Sequence, residues 1–219
     1  MKLFALPLIT LSALVVLPSA VHAQNVPNNW EIRARVVQVD NENKSSAGSA
    51  PLSSTLLPAD AIHVENKTSP EIDVTYFFDK NFALEWVLAY PTKHGVTIAS
   101  GPLAENIGRV KATSTLLTFQ YHFLPEKTVN PYIGAGVGYT RFSSVNLRSN
   151  IAFTDLSASK DSVGGVFQVG ADIKLSDSLY LNFDIKKYYL KADVKFNGSN
   201  VSEVKIDPFL YGVGLGLKF

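Results

Sequence analysis

Cysteine is absent from the 219 residues. No disulfide can therefore staple the fold, and stability must come from a large core or from a closed hydrogen-bond ladder set in lipid. An excess of charge of either sign is missing as well. The formal net charge of +1 gives no electrostatic footprint for nucleic acid, and none is expected as a partner. Histidine is scarce: beyond the first 23 residues only His63, His94 and His122 occur, at no metal-ligand spacing, so no metal site is expected. Two glycine clusters, Gly134-x-Gly136 and Gly212-x-Gly214, lack the third glycine of a dinucleotide cradle and carry Tyr139 and Leu217 at that spacing. Neither opens a helix, so no cofactor is expected. A helical period of useful length is missing too, from residue 24 onward.

What the chain does have begins with a leader. Lys2 gives a short positive start, Leu3 to Leu17 is apolar, and Val21-His22-Ala23 offers small residues at the cleavage positions. Residues 1–23 are expected to be a secretory signal peptide, leaving 24–219 as the mature chain. Pro7 and Pro18 bracket the run and no basic flank follows it, which argues against an anchor helix. Removing the leader takes away only Lys2 among the charged residues, so Lys+Arg falls from 20 to 19 and balances Asp+Glu at 19.

The mature chain is dominated by period-2 alternation, the mark of strands whose successive side chains point to opposite faces. In the last stretch, Phe209, Tyr211, Val213, Leu215, Leu217 and Phe219 share one parity, and Gly212, Gly214, Gly216 and Lys218 the other. Seven earlier segments alternate likewise, starting near Trp30, Ile72, Phe82, Ser114, Pro131, Val163 and Leu179. Long polar loops are expected over about 41–69, 92–111, 143–162 and 191–205. Short turns are expected at Asp79-Lys80-Asn81, Pro125–Asn130 and Ser176-Asp177-Ser178. Eight strands with connections alternating long and short predict an all-β fold, an eight-stranded antiparallel transmembrane β-barrel with both termini on the periplasmic side.

The two faces settle which solvent surrounds it. One parity carries aromatics near the strand ends, namely Trp30, Tyr76, Phe78, Phe82, Tyr90, Tyr121, Phe123, Tyr132, Tyr180, Phe209 and Phe219, as suits two membrane interfaces. The other carries charge. Glu31, Arg33, Glu85, Asp172, Asp184 and Lys218, with Gln120 and His122, fall near the periplasmic end. Val37, Val39, Val87, Ala89, Leu116, Val166 and Leu210 fall toward the extracellular end. Opposite charges in a narrow lumen should pair, since an unpaired buried charge is costly. A charged lumen floor beneath a hydrophobic upper lumen is the expectation. Glu71, Asp73 and Arg35 do not fit that gradient, because they lie at mid or upper depth.

Several stretches carry a family resemblance. Pro70-Glu71-Ile72-Asp73-Val74-Thr75-Tyr76-Phe77-Phe78 resembles the second-strand motif of the OmpW family of outer-membrane proteins. Lys93-His94, Gln120-Tyr121-His122-Phe123, Pro131 to Thr140, Ile206-Asp207-Pro208, the early Trp30 with Arg33 and Arg35, and the closing Gly212-Val213-Gly214 are similar to it as well. The terminal Phe219 resembles the assembly signal of outer-membrane barrels, which implies the barrel-assembly machinery as a partner. Lipid and lipopolysaccharide are the other expected surroundings. The resemblance implies a channel in the bacterial outer membrane that helps small hydrophobic solutes cross. One departure is plain: the family's proline pair entering the fourth strand is replaced by Ser114-Thr115. A solute in the apolar upper lumen is expected to leave sideways into the membrane, near Ser114, because the charged floor bars the way down. A structural or adhesion barrel acting through loops 41–69 and 143–162 is the alternative, and a lipid-modifying enzyme a more distant one. Nothing marks a nucleophile, and no catalysis is expected.

Overall fold

In the computed structural model, the described residues are 29–219 apart from 51, 150–153 and 197. The leader and its cleavage after Ala23 lie outside them. The strands are β1 Trp30–Asp40, β2 Lys44–Ser45, β3 Ile62–Val64, β4 Lys67–Phe77, β5 Phe82–Ala89, β6 Thr92–Ile98 and β7 Glu105–His122. They continue with β8 Val129–Ser149, β9 Thr154–Ala158, β10 Asp161–Lys174, β11 Leu179–Tyr188, β12 Lys191–Phe196, β13 Ser199–Lys205 and β14 Phe209–Lys218.

Eight of these close a barrel. β1, β4, β5, β7, β8, β10, β11 and β14 pair antiparallel in that order, and β14 returns to β1 from Glu31↔Lys218 to Asp40↔Phe209. The seam is completed where Trp30 N donates to the Phe219 carbonyl and Phe219 N to that of Trp30. Closure gives every strand of the barrel a partner on both sides, which a non-helical membrane span requires. The alternation falls as expected: in β1, Glu31, Arg33, Arg35 and Val37 are buried while Trp30, Ile32 and Val36 are exposed. Outward hydrophobic side chains continue round the wall, for example Ile72, Trp86, Val137, Phe167 and Leu215. An apolar surface of that extent is suited to lipid rather than water.

The first expected long loop, 41–69, is mostly irregular apart from β2, β3 and the start of β4, but the other three are largely strand. Residues 92–98 and 105–112 form a hairpin, β6 with β7; 143–149 extend β8, which pairs with β9; β12 pairs with β13; and β3 pairs with β6. Polar composition concealed this, because the hairpins are two-sided and keep water on one face. Their other face builds a second apolar layer above the barrel, with Leu57, Ala61, Ile62, Val96, Ile98, Ile107, Val201 and Val204 all buried. The first connection crosses the mouth and ties to the last hairpin: β2 pairs with β13, Ser46 N donates to the Glu203 carbonyl at 2.9 Å, and Ser49 N to that of Val201 at 2.9 Å.

The barrel is tight enough to demand glycine in places. A Cβ at Gly136 would lie 1.9 Å from the Leu117 carbonyl oxygen and 2.7 Å from the Thr118 Cα. Both are backbone atoms of the paired strand, so relief needs the wall itself to move. Gly136→Ala is expected to destabilise the barrel by about 3 kcal/mol or more, as overpacking against backbone does. A lower urea midpoint in lipid vesicles is the readout, and an unchanged midpoint would show that the wall yields.

Candidate functional site

The lower lumen is filled by a network of charged side chains drawn from strands on opposite sides of the barrel. Arg33 on β1 donates from Nε to Glu31 (2.9 Å), from Nη1 to Glu85 on β5 (2.8 Å) and from Nη2 to Asp172 on β10 (3.1 Å). Its guanidinium carbon stands 5.6 Å from the centre of the Tyr132 ring. Gln120 and Gln168 each donate to Glu85, at 2.9 and 3.0 Å. Asn182 donates to Asp172 (2.8 Å), and Tyr132 donates to Asp184 (3.2 Å). His122 is wedged between Gln120 and Asn130 through its two ring nitrogens. Nearest the turn end, Lys218 lies 3.7 Å from Glu31 and over the Phe77 and Tyr180 rings.

Arg35, one pleat further from the turns, continues the network. It donates to Glu71 (2.7 Å) and approaches Asp184 (3.2 Å), while Lys186 bridges Asp184 (2.7 Å) and Glu85 (3.3 Å). Arg35 Nε is 2.6 Å from Asp73 but off the hydrogen-bond direction, so charge alone holds Asp73 there. The residues that broke the expected gradient thus form its second layer, which makes the floor two layers thick. Arg33 and the carboxylates around it are wholly buried.

Above this floor lies a cavity of about 110 Å³. Val37, Val39, Ala89, Leu116 and Leu210 line it, as do Ile62, Val64, Val96, Val110, Leu147, Val194 and Val204 from the hairpin layer. Val87 and Val166, placed in the same chamber by the sequence, are fully buried and do not line the cavity. At the cavity's base, Ser114 and Thr140 hydroxyls meet at 2.8 Å, and Thr140 meets the Tyr188 hydroxyl at 3.1 Å. Outside the membrane-spanning strands, a hydrogen bond from Lys187 holds the Glu42 carboxyl below its usual range. A bond from Lys67 does the same for Glu65.

The wall beside the cavity is interrupted. β5 pairs with β7 as far as Leu88↔Thr115, and β6 resumes only at Thr92↔Ala112, leaving Thr113 and Ser114 without a strand partner on that side. On the other flank, pairing ends where Tyr90 N donates to the Pro70 carbonyl at 3.1 Å and resumes where Glu65 N donates to the Gly95 carbonyl at 2.9 Å, ahead of the β3/β6 ladder. Pro91 belongs to both gaps. It has no N–H to donate, and past it the face alternation shifts by one residue: Ala83, Glu85 and Val87 are buried in β5, but His94, Val96 and Ile98 in β6. Pro70 and Tyr90 belong to the outer surface, yet both line the cavity together with Ser69 and Thr92. The sequence placed a parting near Ser114. The parting exists on the β5/β6 side only; towards β8 the ladder runs unbroken through Ser114↔Thr140. Tyr132 and Tyr180, expected among the outward belt aromatics, instead face the lumen, where Tyr132 is buried against Arg33 and Asp184 and Tyr180 lies under Lys218, because both fall on the inward parity of their strands. The linking roles of Gln168 and Asn182 were missed, though their inward parity was a signal for them.

Comparison with known proteins places this geometry. The model of the OmpW family matches residues 29–219. The chain is 34% identical to an uncharacterized outer-membrane protein of Sinorhizobium fredii, over 87% of this chain and 80% of the relative. It is 28% identical to the dibenzothiophene metabolism operon protein PahQ of Pseudomonas aeruginosa, over 74% of this chain and 77% of the relative. Among solved structures, the outer membrane protein OprG of Pseudomonas aeruginosa superposes with a TM-score of 0.77 at 25% identity, covering 88% of this chain and 96% of that one.

Proposed function

The chain belongs to the OmpW family of outer-membrane β-barrels, and from that premise we propose that it carries small hydrophobic compounds across the outer leaflet and releases them sideways into the membrane. The observation that carries this reading is the cavity itself. It is apolar, it is closed below by the buried ion network, and it reaches outer-surface residues where the ladder fails around Pro91. Water filling such a space finds few partners, whereas an apolar solute gains roughly 25 cal/mol for each Å² kept from water. A relative named for dibenzothiophene metabolism supports the solute class, since that molecule is a fused-ring, apolar compound.

The hairpin layer bears on the alternative. Its buried residues Ile62, Val96, Val110, Leu147, Val194 and Val204 line the chamber and extend it, which favours passage over a role confined to adhesion. With the short turns on the periplasmic side, both termini meet at the inner surface, and Phe219 is the segment offered to the assembly machinery after removal of residues 1–23. Cells with and without the protein, given dibenzothiophene at limiting concentration, provide the test. Faster uptake with the protein is expected; equal uptake would move the function to the outer hairpins.

A further inference from the structure

Near the hairpin end of the barrel, the outer wall carries an arrangement that neither the floor nor the chamber explains. Lys93 on β6 and Lys111 on β7 are direct cross-strand partners, and like charges in that position repel and destabilise a sheet. Arg109, paired with Gly95, and Arg141, paired with Thr113, lie one pleat away on either side. Their sequence neighbours His94, Val110 and Phe142 are buried, so the cations face outward. Several other rim cations have carboxylate partners: Lys67 with Glu65, Lys187 with Glu42, Lys191 with Glu203. Among the described residues, none of these four cations has a carboxylate within 4 Å, although Glu65, which accepts from Gly95 N at 3.2 Å and from Lys67 at 2.8 Å, lies near enough to Arg109 to feel its charge. Asp161 faces Arg141 across β8 and β10, but its carboxylate accepts the Tyr139 hydroxyl at 2.5 Å.

The depth of the cluster is also defined. Tyr139 pairs with Thr115, whose hydroxyl accepts the Trp86 indole N–H at 2.7 Å. Arg141 is one pleat beyond this aromatic row, and Tyr90 stands exposed beside it. Such rings sit at the membrane interface, so cations one pleat further out lie at headgroup level. We propose that Lys93, Lys111, Arg109 and Arg141 form a binding site for the phosphorylated sugar headgroup of an outer-leaflet glycolipid. The chemistry selects the class. A doubly charged phosphate accepts several charge-assisted hydrogen bonds at once and removes the repulsion between the two lysines, whereas a zwitterionic headgroup would add a cation of its own. The site adjoins the interrupted ladder at Pro91, yet its existence does not depend on any solute passing there.

The test uses the purified full chain in detergent micelles, with bis-phosphorylated lipid A, the same lipid without phosphates, and inorganic phosphate as probes, and affinities measured by native mass spectrometry. Each cation near a membrane surface contributes about fivefold in affinity, so Lys93→Gln with Lys111→Gln is expected to weaken the phosphorylated lipid about 25-fold. Lys191→Gln, at a paired rim cation, should change it less than about twofold. The double variant should keep or gain thermal stability, because it removes a like-charge pair. Equal binding of the dephosphorylated lipid would overturn the proposal, as would an unchanged affinity in the double variant. A comparable loss in Lys191→Gln would mean diffuse attraction, and inorganic phosphate binding as tightly as the lipid would mean a free-anion site; either overturns it.

Discussion

Replacing Arg33 by methionine is expected to lower the stability of the barrel by about 3–5 kcal/mol, the scale of breaking a buried ion pair from one side. Methionine matches much of the arginine stem in volume, so little of the loss would come from packing. It would come from Glu31, Glu85 and Asp172, which share that guanidinium at 2.8–3.1 Å and have no water to turn to. Three partners on three strands explain why the loss should be global rather than local. The lower midpoint in urea, followed by tryptophan fluorescence in lipid vesicles, is the measurement. A second variant separates charge from shape: Arg33→Met combined with Glu31→Gln and Asp172→Asn leaves fewer orphaned charges and should recover at least half of the loss. If the single variant is as stable as the parent, the network is not what closes the floor.

The barrel was legible in the sequence because one parity of every span is apolar and the other is not, and period 2 survives any detail of packing. The floor was legible for the same reason: Glu31 and Arg33 alternate with Trp30 and Ile32 and have nowhere else to point. Its thickness was not. Arg35, Glu71 and Asp73 did not fit by depth because counting along a strand ignores how far a long side chain reaches across a narrow lumen, and Arg35 reaches from β1 to Asp184 on β11. The outer hairpins were hidden by their polar composition. Residues such as Thr92, Gly95 and Asn106 look like loop, yet they pair as strand because a partner of matching length lies opposite. Pro91 marked only the end of a strand in the sequence, although its missing N–H is what leaves the ladder open there. What the sequence did not reveal is that the unpaired stretch lies between Pro91 and Ser114, so that the serine borders the gap without opening its other side.

A single arginine placed in the upper chamber should stop passage of apolar solutes, and the contrast with a loosened floor decides the route. Leu116 is almost wholly buried and lines the cavity beside Ser114. Leu116→Arg puts a charge where a solute must lie, and an apolar molecule displaced from that contact loses the 25 cal/mol per Å² that held it. Uptake of dibenzothiophene is expected to fall at least about tenfold, since about 1.4 kcal/mol corresponds to burying only some 55 Å² of apolar surface. Gln120→Ala with His122→Ala works at the other end. It removes two large, fully buried side chains of the floor while leaving every lysine, arginine and carboxylate there in place. If solutes leave sideways at Pro91, this floor variant should leave apolar uptake within about twofold, while passage of small polar solutes rises as the plug loosens. The reverse pattern, with apolar uptake rising sharply in the floor variant and holding in Leu116→Arg, would mean that solutes descend through the barrel. A cavity that merely stores a hydrophobic molecule predicts a third result, no change in uptake from either variant. Heat-modifiable gel mobility checks that each variant has closed its barrel before uptake is compared.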